Sequence, residues 1–532
     1  MSLHSEIKAH AKLVAKDVKA GKVSENCYRA RDFMEEVPGA ILGVIDLVQR
    51  EDSRKKPNDA MVQAYVYMFA NGLETLRYQI ERGQDWAEEL VGAVREQLVL
   101  LVKDGVLSPH LLLFLLNGFL EAKLEPGDEL TELLGDIAME RIEDTPELSP
   151  AELEQWLQTL VEEADGNEFD VYLSLAEASQ ALPPEFRMAS ANQIATSENP
   201  VLRDAAVLFL LDRTPEVRRT VCRMIAENAS PSMVSPVALR RMITLRNWLP
   251  ETERHHLDAA IKKARQKQVE CASWRERQVE RILASNLDGA GAQSVFCVTK
   301  DGRKHVIASL LVKQDVGIAD AWCIRNQSKA DVKNFLDHIL SETESHNIGS
   351  EFLQLLLPHC LAVAQKSENV PSPSLLDFVE ALGIDELQPS ELTTDDLLSR
   401  LEGEVGPAQL SDVSVAEAIE GSDIWFYESE FVESWFEDDA EVMSVLSRKM
   451  RSKPQTQVNA VIKSILEPRR AKWAERFLWT ALWLKEKPDL LSPWREFFIV
   501  GRELYKGRPI KDIPAMRSVA ELTVVAATGI GA

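Results

Sequence analysis

Apolar side chains recur every three or four residues along most of this chain, which is the spacing of one face of a helix. Through residues 62–76 that face is formed by Val62, Tyr65, Met68, Phe69, Leu73 and Leu76. The same spacing returns between residues 90 and 101, and glycine or proline interrupts it at positions 105 and 109. The N-terminal third therefore predicts a succession of helices joined by short turns.

One short phrase recurs in the middle of the chain. It consists of proline, then glutamate, then arginine two or three positions after the glutamate. The phrase occurs at residues 184–187, 215–218 and 250–254, and successive copies begin 31 and 35 residues apart. Proline suits the first helical turn because its missing N–H has no partner there. Glutamate beside it is favoured by the positive end of the helix dipole. A helix start that repeats at this period predicts stacked helix pairs, a helical solenoid.

Two segments of this region resemble repeats of the HEAT type. Residues 199–206 read Asn-Pro-Val-Leu-Arg-Asp-Ala-Ala, and residues 212–219 read Asp-Arg-Thr-Pro-Glu-Val-Arg-Arg. HEAT repeats commonly open with an acidic residue or Asn-Pro, followed by Val-Arg and small apolar residues. The resemblance covers residues 170–270 and implies a curved stack of antiparallel helices with a concave face for partners. It implies no chemistry.

A different pattern occupies residues 293–325. Two runs rich in β-forming residues, 293–300 and 303–313, flank Asp301-Gly302, which predicts a β-hairpin. A third run at 319–324 completes a predicted antiparallel meander, and residues 329–341 predict a helix that covers one face of it.

The predicted fold class is thus mainly α. It comprises a HEAT-like helical solenoid, a small antiparallel β-meander with one helix, and a helical C-terminal domain. The predicted domains are an N-terminal helical domain (1–165), HEAT-like repeats (166–285), the small α+β module (286–348) and the C-terminal helical domain (349–532).

The composition is that of a folded protein, and the cysteines and apolar segments bear on the cellular compartment in which it is expected. Of the 532 residues, 45% are hydrophobic and 27% are charged, with a formal net charge of −25. The six cysteines are scattered without a Cys-x-x-Cys pair, so neither a zinc ribbon nor a disulfide framework is indicated. The N-terminus lacks an apolar secretory signal, and the most apolar run, residues 111–116, is too short to span a bilayer. We expect a cytoplasmic protein that does not enter the membrane.

Charge alternates along the chain in four blocks. Residues 125–170 hold 16 acidic and one basic side chain, and residues 203–281 hold 16 basic and 10 acidic ones. Residues 371–441 hold 20 acidic and one basic, and residues 448–487 hold 11 basic and three acidic. Either opposite blocks face each other or remain solvated, as charge runs usually do, or the basic block binds an anionic partner.

Nine basic side chains would carry such an interaction. They are Arg218, Arg219, Arg223, Arg240, Arg241, Lys262, Lys263, Arg265 and Lys267. The partner would be an acidic protein surface or nucleic acid, and the net charge of −25 disfavours nucleic acid.

A metal-binding site is the alternative to a binding surface that a residue spacing supports. His338, Glu342 and His346 lie four residues apart, which places all three on one face if a single helix carries them. Exposed polar residues on a solvated helix face explain the spacing equally well. The adjacent pair His359-Cys360 is a weaker candidate, because nucleophile and base meet in space rather than in sequence.

The sequence therefore favours a non-catalytic scaffold or adaptor that binds a protein partner and needs no cofactor. One alternative is a nucleic-acid-associated protein that uses the basic face of residues 203–281. The other is an enzyme or metal-binding protein with a site near residues 329–346.

Overall fold

The computed structural model describes residues 2–20, 24–144, 150–179, 181–273, 277–366, 370–449, 451–487, 489 and 492–528. It divides into two compact units, Met1–Ile194 and Ala195–Ala532. The chain is mainly helical, as predicted. Within these ranges none of the helices is both long and apolar enough to cross a bilayer.

The first unit is helical throughout its described residues. Its helices are α1 (Leu3–Lys19), α2 (Glu25–Glu36), α3 (Ala40–Asp52), α4 (Asp59–Glu81), α5 (Asp85–Lys103), α6 (Pro109–Glu121), α7 (Asp128–Asp144), α8 (Pro150–Glu163), α9 (Glu168–Ser179) and α10 (Pro184–Ala195), which ends at the boundary between the units.

Helix α4 lies at the centre of the first unit. It packs against α1, α2, α3, α5 and α6. Its positions Ala64, Met68, Phe69, Leu73 and Leu76 are all fully buried. These are largely the positions that the helical spacing of apolar residues marks, so burial of one face drives this packing.

The second unit begins with four helices: α11 (Pro200–Leu208), α12 (Pro215–Glu227), α13 (Pro236–Arg246) and α14 (Arg254–Gln266). A five-stranded sheet follows, made of β1 (Gln278–Ser285), β2 (Ala292–Asp301), β3 (Lys304–Lys313), β4 (Gly317–Gln327) and, after α15 (Lys329–Glu342), β5 (Ser345–Asn347).

The remainder is helical and confirms the predicted helical C-terminal region. Its helices are α16 (Ser350–Lys366), α17 (Pro373–Leu382), α18 (Thr394–Glu402), α19 (Asp412–Glu420), α20 (Trp425–Glu428), α21 (Ala440–Ser447), α22 (Pro454–Val461), α23 (Arg470–Lys485), α24 (Trp494–Tyr505) and α25 (Pro514–Thr528).

The repeated phrase begins a helix in two of its three copies. Pro184 and Pro215 are the first residues of α10 and α12. The third copy was expected to do the same, but α14 begins at Arg254, after a turn that follows Pro250. Residues 251–253 form that turn, so the helix starts four positions after Pro250.

Arginines at these helix starts share one function. Each donates to a main-chain carbonyl five or six residues earlier, in the connection that precedes its helix. The bonds run from Arg187 to Leu182, Arg203 to Ser197, Arg218 to Asp212 and Arg254 to Leu249, with N···O distances of 3.0, 2.7, 2.5 and 3.0 Å. These arginines therefore help to fix how the chain enters α10, α11, α12 and α14.

The sheet is antiparallel, with strand order β4-β3-β2-β1-β5. The predicted hairpin is confirmed: Asp301 pairs with Lys304 across a turn in which Gly302 has φ +60°. The structure adds two strands that the sequence did not predict. Strand β1 lies within residues 166–285, which were assigned to the repeats, so the sheet begins before the predicted boundary at residue 286.

Helices cover both faces of the sheet. Helix α15 packs through Val332 and Leu336 on an apolar cluster with Phe296, Val298 and Ile307, as predicted for the helix that follows the meander. Helices α16 and α17 contact β4, and α17 also contacts β3 and β2.

Candidate functional site: a basic face on two helices

The structure separates the nine basic candidates by burial. Arg218 and Arg241 are only 4% and 1% exposed, and Arg240 is half-buried. The other six are exposed: Arg219, Arg223, Lys262, Lys263, Arg265 and Lys267. The predicted set therefore divides into three arginines that are buried or half-buried and six cations that are exposed.

Arg218 joins the starts of α12 and α14. Its Nε and Nη2 atoms lie 2.8 and 2.5 Å from the two carboxylate oxygens of Glu253, and Nη1 donates to the carbonyl of Asp212 at 2.5 Å. A bidentate arginine–carboxylate pair is both strong and directional. Arg218 is thus an interior side chain and is not part of the exposed face.

Arg240 and Arg241 tie α13 to α17 and the loop that follows it. Arg241 makes a bidentate pair with Glu380, at 2.7 and 2.8 Å, and Arg240 donates to the carbonyl of Asp385. Close by, Trp248 Nε1 donates to the carbonyl of Leu387 at 2.9 Å. Both arginines therefore have partners within the molecule, and Arg241 is not part of the exposed basic face.

The exposed cations lie on two helices that run side by side. Helices α12 and α14 pack together, and the Arg218–Glu253 pair places the N-terminal turn of α12 beside the N-terminus of α14. At 1.5 Å per residue, Arg223 then lies close to the second turn of α14, with Lys262 and Lys263 one turn beyond. Arg219 pairs with Glu216 on its own helix, whereas the described structure gives no ion pair to Arg223 or to these lysines.

Two histidines begin α14 beside Arg219. The rings of His255 and His256 lie 3.8 Å apart between centroids. Partial burial, the adjacent His255 and Arg219 together lower the pKa of His256. The neutral form of His256 is therefore favoured, and the positive charge assigned to this face is that of arginine and lysine.

Opposite charge blocks do face each other within the second unit. Besides Arg241–Glu380, Arg469 lies 2.6, 2.6 and 2.8 Å from carboxylate oxygens of Glu437, Asp439 and Glu441. Lys485 pairs with Glu404 at 2.5 Å. The acidic block 371–441 is thus neutralised in part by both basic blocks, whereas Arg223, Lys262 and Lys263 of the α12–α14 face take no part in these pairs.

The proposed metal triad does not form. Helix α15 ends at Glu342, so His346 does not continue the face that carries His338. His346 instead lies in β5, opposite Ala284, and its Nε2 lies 2.8 Å from the carbonyl oxygen of Trp483. Among the residues that the structure describes, no three His, Cys, Asp or Glu side chains converge as a metal site would require.

His359 and Cys360 are buried and do not form a nucleophile–base couple. His359 Nδ1 accepts a hydrogen bond from the Leu392 N–H at 3.2 Å, and Nε2 lies 3.7 Å from Glu475 Oε1. Burial raises the pKa of the Cys360 thiol and lowers that of His359. A protonated thiol is a poor nucleophile, so the arrangement is structural.

Sequence reasoning missed another set of buried contacts, in which three side chains bind the end of β1 and the β1–β2 connection. Trp483 donates to the carbonyl of Ala284, Trp435 to that of Leu287 and Arg476 to that of Gly289, at 3.1, 2.9 and 2.8 Å. Arg476 also lies 4.4 Å above the ring of Trp473. The Gly289-Ala290-Gly291 segment therefore lies inside the sheet module, between β1 and β2.

We expect His359, which is buried, and His346, which is half-buried, to make stability depend on pH. Burial lowers the pKa of both His346 and His359. The unfolded chain then binds protons that the folded chain excludes, so their contribution is complete above about pH 6.5 and is lost as pH falls below it. Each contributes on the order of 1 kcal/mol per pKa unit.

Urea midpoints measured from about pH 8 to about pH 5.5 test this. His359→Gln, whose amide oxygen can still accept from Leu392, should flatten the acid loss, whereas His338→Gln on the outside of α15 should leave its slope unchanged. Equal slopes for all three proteins would contradict the assignment.

Three consecutive segments of the chain match known protein domains. Residues 183–268 match the Y4lR second domain, residues 275–393 match a domain of unknown function (DUF7401), and residues 395–528 match the Y4lR C-terminal helical domain. These segments correspond to helices α10–α14, to the sheet with α15–α17, and to α18–α25.

One similar protein spans much of the chain. It is Uncharacterized protein y4lR of Sinorhizobium fredii (strain NBRC 101917 / NGR234), 27% identical over 376 residues, which is 69% of this chain and 71% of the relative. No solved structure gives a significant match.

Proposed function

We propose that this protein is a non-catalytic cytoplasmic scaffold that binds an acidic protein partner through the basic face of α12 and α14. The observation that carries the proposal is the side-by-side packing of these helices, with Arg223, Lys262 and Lys263 exposed and without intramolecular ion pairs in the described structure. Such a face attracts a negatively charged surface at long range and orients it.

The helix packing supports a HEAT-like arrangement for this region. Helix α11 packs on α13, α12 packs on α14, and α13 packs on α14. Alternate helices are thus neighbours in two layers, as in stacked helix pairs, and each layer presents a continuous surface. One layer of such a stack is a suitable platform for a partner.

The state of the cysteines is consistent with a reducing compartment. All six are free thiols, and four of them are buried. Secreted proteins usually pair their cysteines, whereas cytoplasmic proteins keep them reduced.

Charge reversal tests the proposed face. The triple variant Arg223→Glu, Lys262→Glu, Lys263→Glu should bind fluorescein-labelled poly-L-glutamate about tenfold or more weakly, because each exposed charge contributes a fraction of a kcal/mol and reversal doubles the change. Anisotropy titrations at low and at physiological salt measure it, and the wild-type affinity should fall with salt.

A matched control and a second probe distinguish the alternatives. Lys8→Glu, Lys12→Glu, Lys16→Glu changes the same charge on the exposed side of α1 and should leave poly-L-glutamate binding unchanged. Tighter, salt-sensitive binding of duplex DNA by the same face would favour the nucleic-acid role instead. Equal binding by wild type and the α12–α14 variant would contradict both.

A further inference from the structure

A half-open groove of about 420 Å³ lies between α2 and α4 in the first unit. Its α4 wall includes Asn71, Glu74, Thr75 and Tyr78, and Arg82 follows directly after the helix. Since the apolar positions of α4 face the core, Asn71, Glu74 and Tyr78 form the outer stripe of this helix, and Thr75 is buried beside them. The volume lies in the range of pockets that hold small ligands, about 300–1,000 Å³.

Both signs of charge line the groove. Arg31 and Glu35 come from α2, Glu74 comes from α4, and Arg82 follows α4. Arg77 of α4 also lines the groove but already pairs with Glu81. Arg31 lies 3.6 Å from Glu35, beyond hydrogen-bond length, so its N–H groups are not held by that carboxylate. The described structure gives Glu74 no ion pair, and it is exposed.

An aromatic ring with a fixed cation lies beside these charges. The guanidinium of Arg82 lies 4.0 Å above the centroid of the Tyr78 ring and donates to its hydroxyl at 2.5 Å. Tyr78 is nevertheless 42% exposed. A ring already oriented by its neighbour offers contact area at little further cost in side-chain entropy.

We propose that this groove binds a short peptide segment carrying both an acidic and a basic side chain. The carboxylate of the segment pairs with Arg31 and Arg82, its ammonium group pairs with Glu74 and Glu35, and its backbone lies along Tyr78. A purely acidic segment would meet the two glutamates, and a purely basic one would meet the arginines, so mixed charge is what the lining selects.

Three labelled peptide pools test the proposal on the full-length chain. They are random hexapeptides of Glu, Lys and Ala, of Glu and Ala only, and of Lys and Ala only, each followed by fluorescence anisotropy. The mixed pool should bind best, and Arg31→Ala should weaken it about tenfold, the value of one charged hydrogen-bonded pair. Arg29→Ala is the matched control, because Arg29 lies on α2, pairs with Glu25 at 2.6 Å and does not line the groove.

A charge swap gives a result that loss of structure could not imitate. Glu74→Arg should lower affinity for the mixed pool and raise it for the acidic pool, with an unchanged far-UV circular dichroism spectrum. No measurable binding of the mixed pool, or equal loss with Arg29→Ala and Arg31→Ala, would overturn the proposal. The α12–α14 charge-reversal variant should bind the mixed pool normally, so the two proposed sites stand or fall separately.

Discussion

Replacing Gly289 by alanine should destabilise the second unit by more than about 3 kcal/mol, the upper end of the usual cost of overpacking. A Cβ atom at this position would lie 1.5 Å from the carbonyl oxygen of Ser434. The obstacle is main chain, so it cannot rotate away as a side chain could. Relief would require the β1–β2 connection to move from Ser434, whose hydroxyl accepts from the Gly289 N–H, and from Arg476, which donates to the Gly289 carbonyl.

Urea unfolding of the full chain, followed by tryptophan fluorescence, measures the effect. The rings of Trp435, Trp473 and Trp483 are buried around this connection and report on it. Gly39→Ala is the control, because the added Cβ there meets nothing within 4 Å and the backbone has φ −61°. An unchanged midpoint for Gly289→Ala would show that the two segments do not approach as closely as described.

Removing Glu380 should cost about 3–5 kcal/mol, because it leaves the buried guanidinium of Arg241 without its carboxylate. Arg241 is 1% exposed and the side chain of Glu380 is 12% exposed. Water cannot replace the lost partner at that depth. The double variant Arg241→Met, Glu380→Leu should recover more than half of the loss, since it buries no unpaired charge.

A pair of similar geometry at the surface provides the comparison. Arg246 and Asp258 are also bidentate, at 2.5 and 3.0 Å, but their side chains are 40% and 45% exposed. Asp258→Ala should therefore cost no more than about 1 kcal/mol. Denaturant midpoints of the wild type, Glu380→Ala, the double variant and Asp258→Ala distinguish the effect of burial from the effect of bidentate geometry. Equal losses of stability for Glu380→Ala and Asp258→Ala would refute the role assigned to burial.

The hairpin was predictable because its signal is local. Asp301-Gly302 occupies a turn that needs positive φ, and β-formers flank it on both sides. Strand β1 has no such signal: of its eight residues, three are exposed, Arg281 is half-buried and only Ile282–Ser285 are buried. Strand β5 has three residues and exists only by pairing with β1. Their formation depends on distant partners, which the local pattern does not contain.

The charge blocks were visible in the sequence, but the burial of single arginines was not recognised. Arg218 and Arg219 are neighbours, yet about 100° apart around α12, so one points inward and the other outward. The signal was present, since Arg218 precedes Val221 and Cys222 by three and four residues on the apolar stripe. Arg241 likewise precedes Leu245 by four residues. The position of each arginine relative to the apolar stripe of its helix therefore distinguishes the buried arginines from the exposed ones.

The polar groove of the first unit could be read only in part. The outer stripe of α4 follows from its spacing, but the position of Arg31 and Glu35 opposite it depends on how α2 crosses α4. Such a crossing is set by packing of several helices together and leaves no mark in either segment alone.

The arginines that bond back to the preceding connection make the start of each of these helices a local property of the chain. Each bond closes within one connection. A helix transplanted together with the connection before it should therefore keep its entry geometry, whereas the Arg218–Glu253 pair joins α12 to α14 and requires both helices.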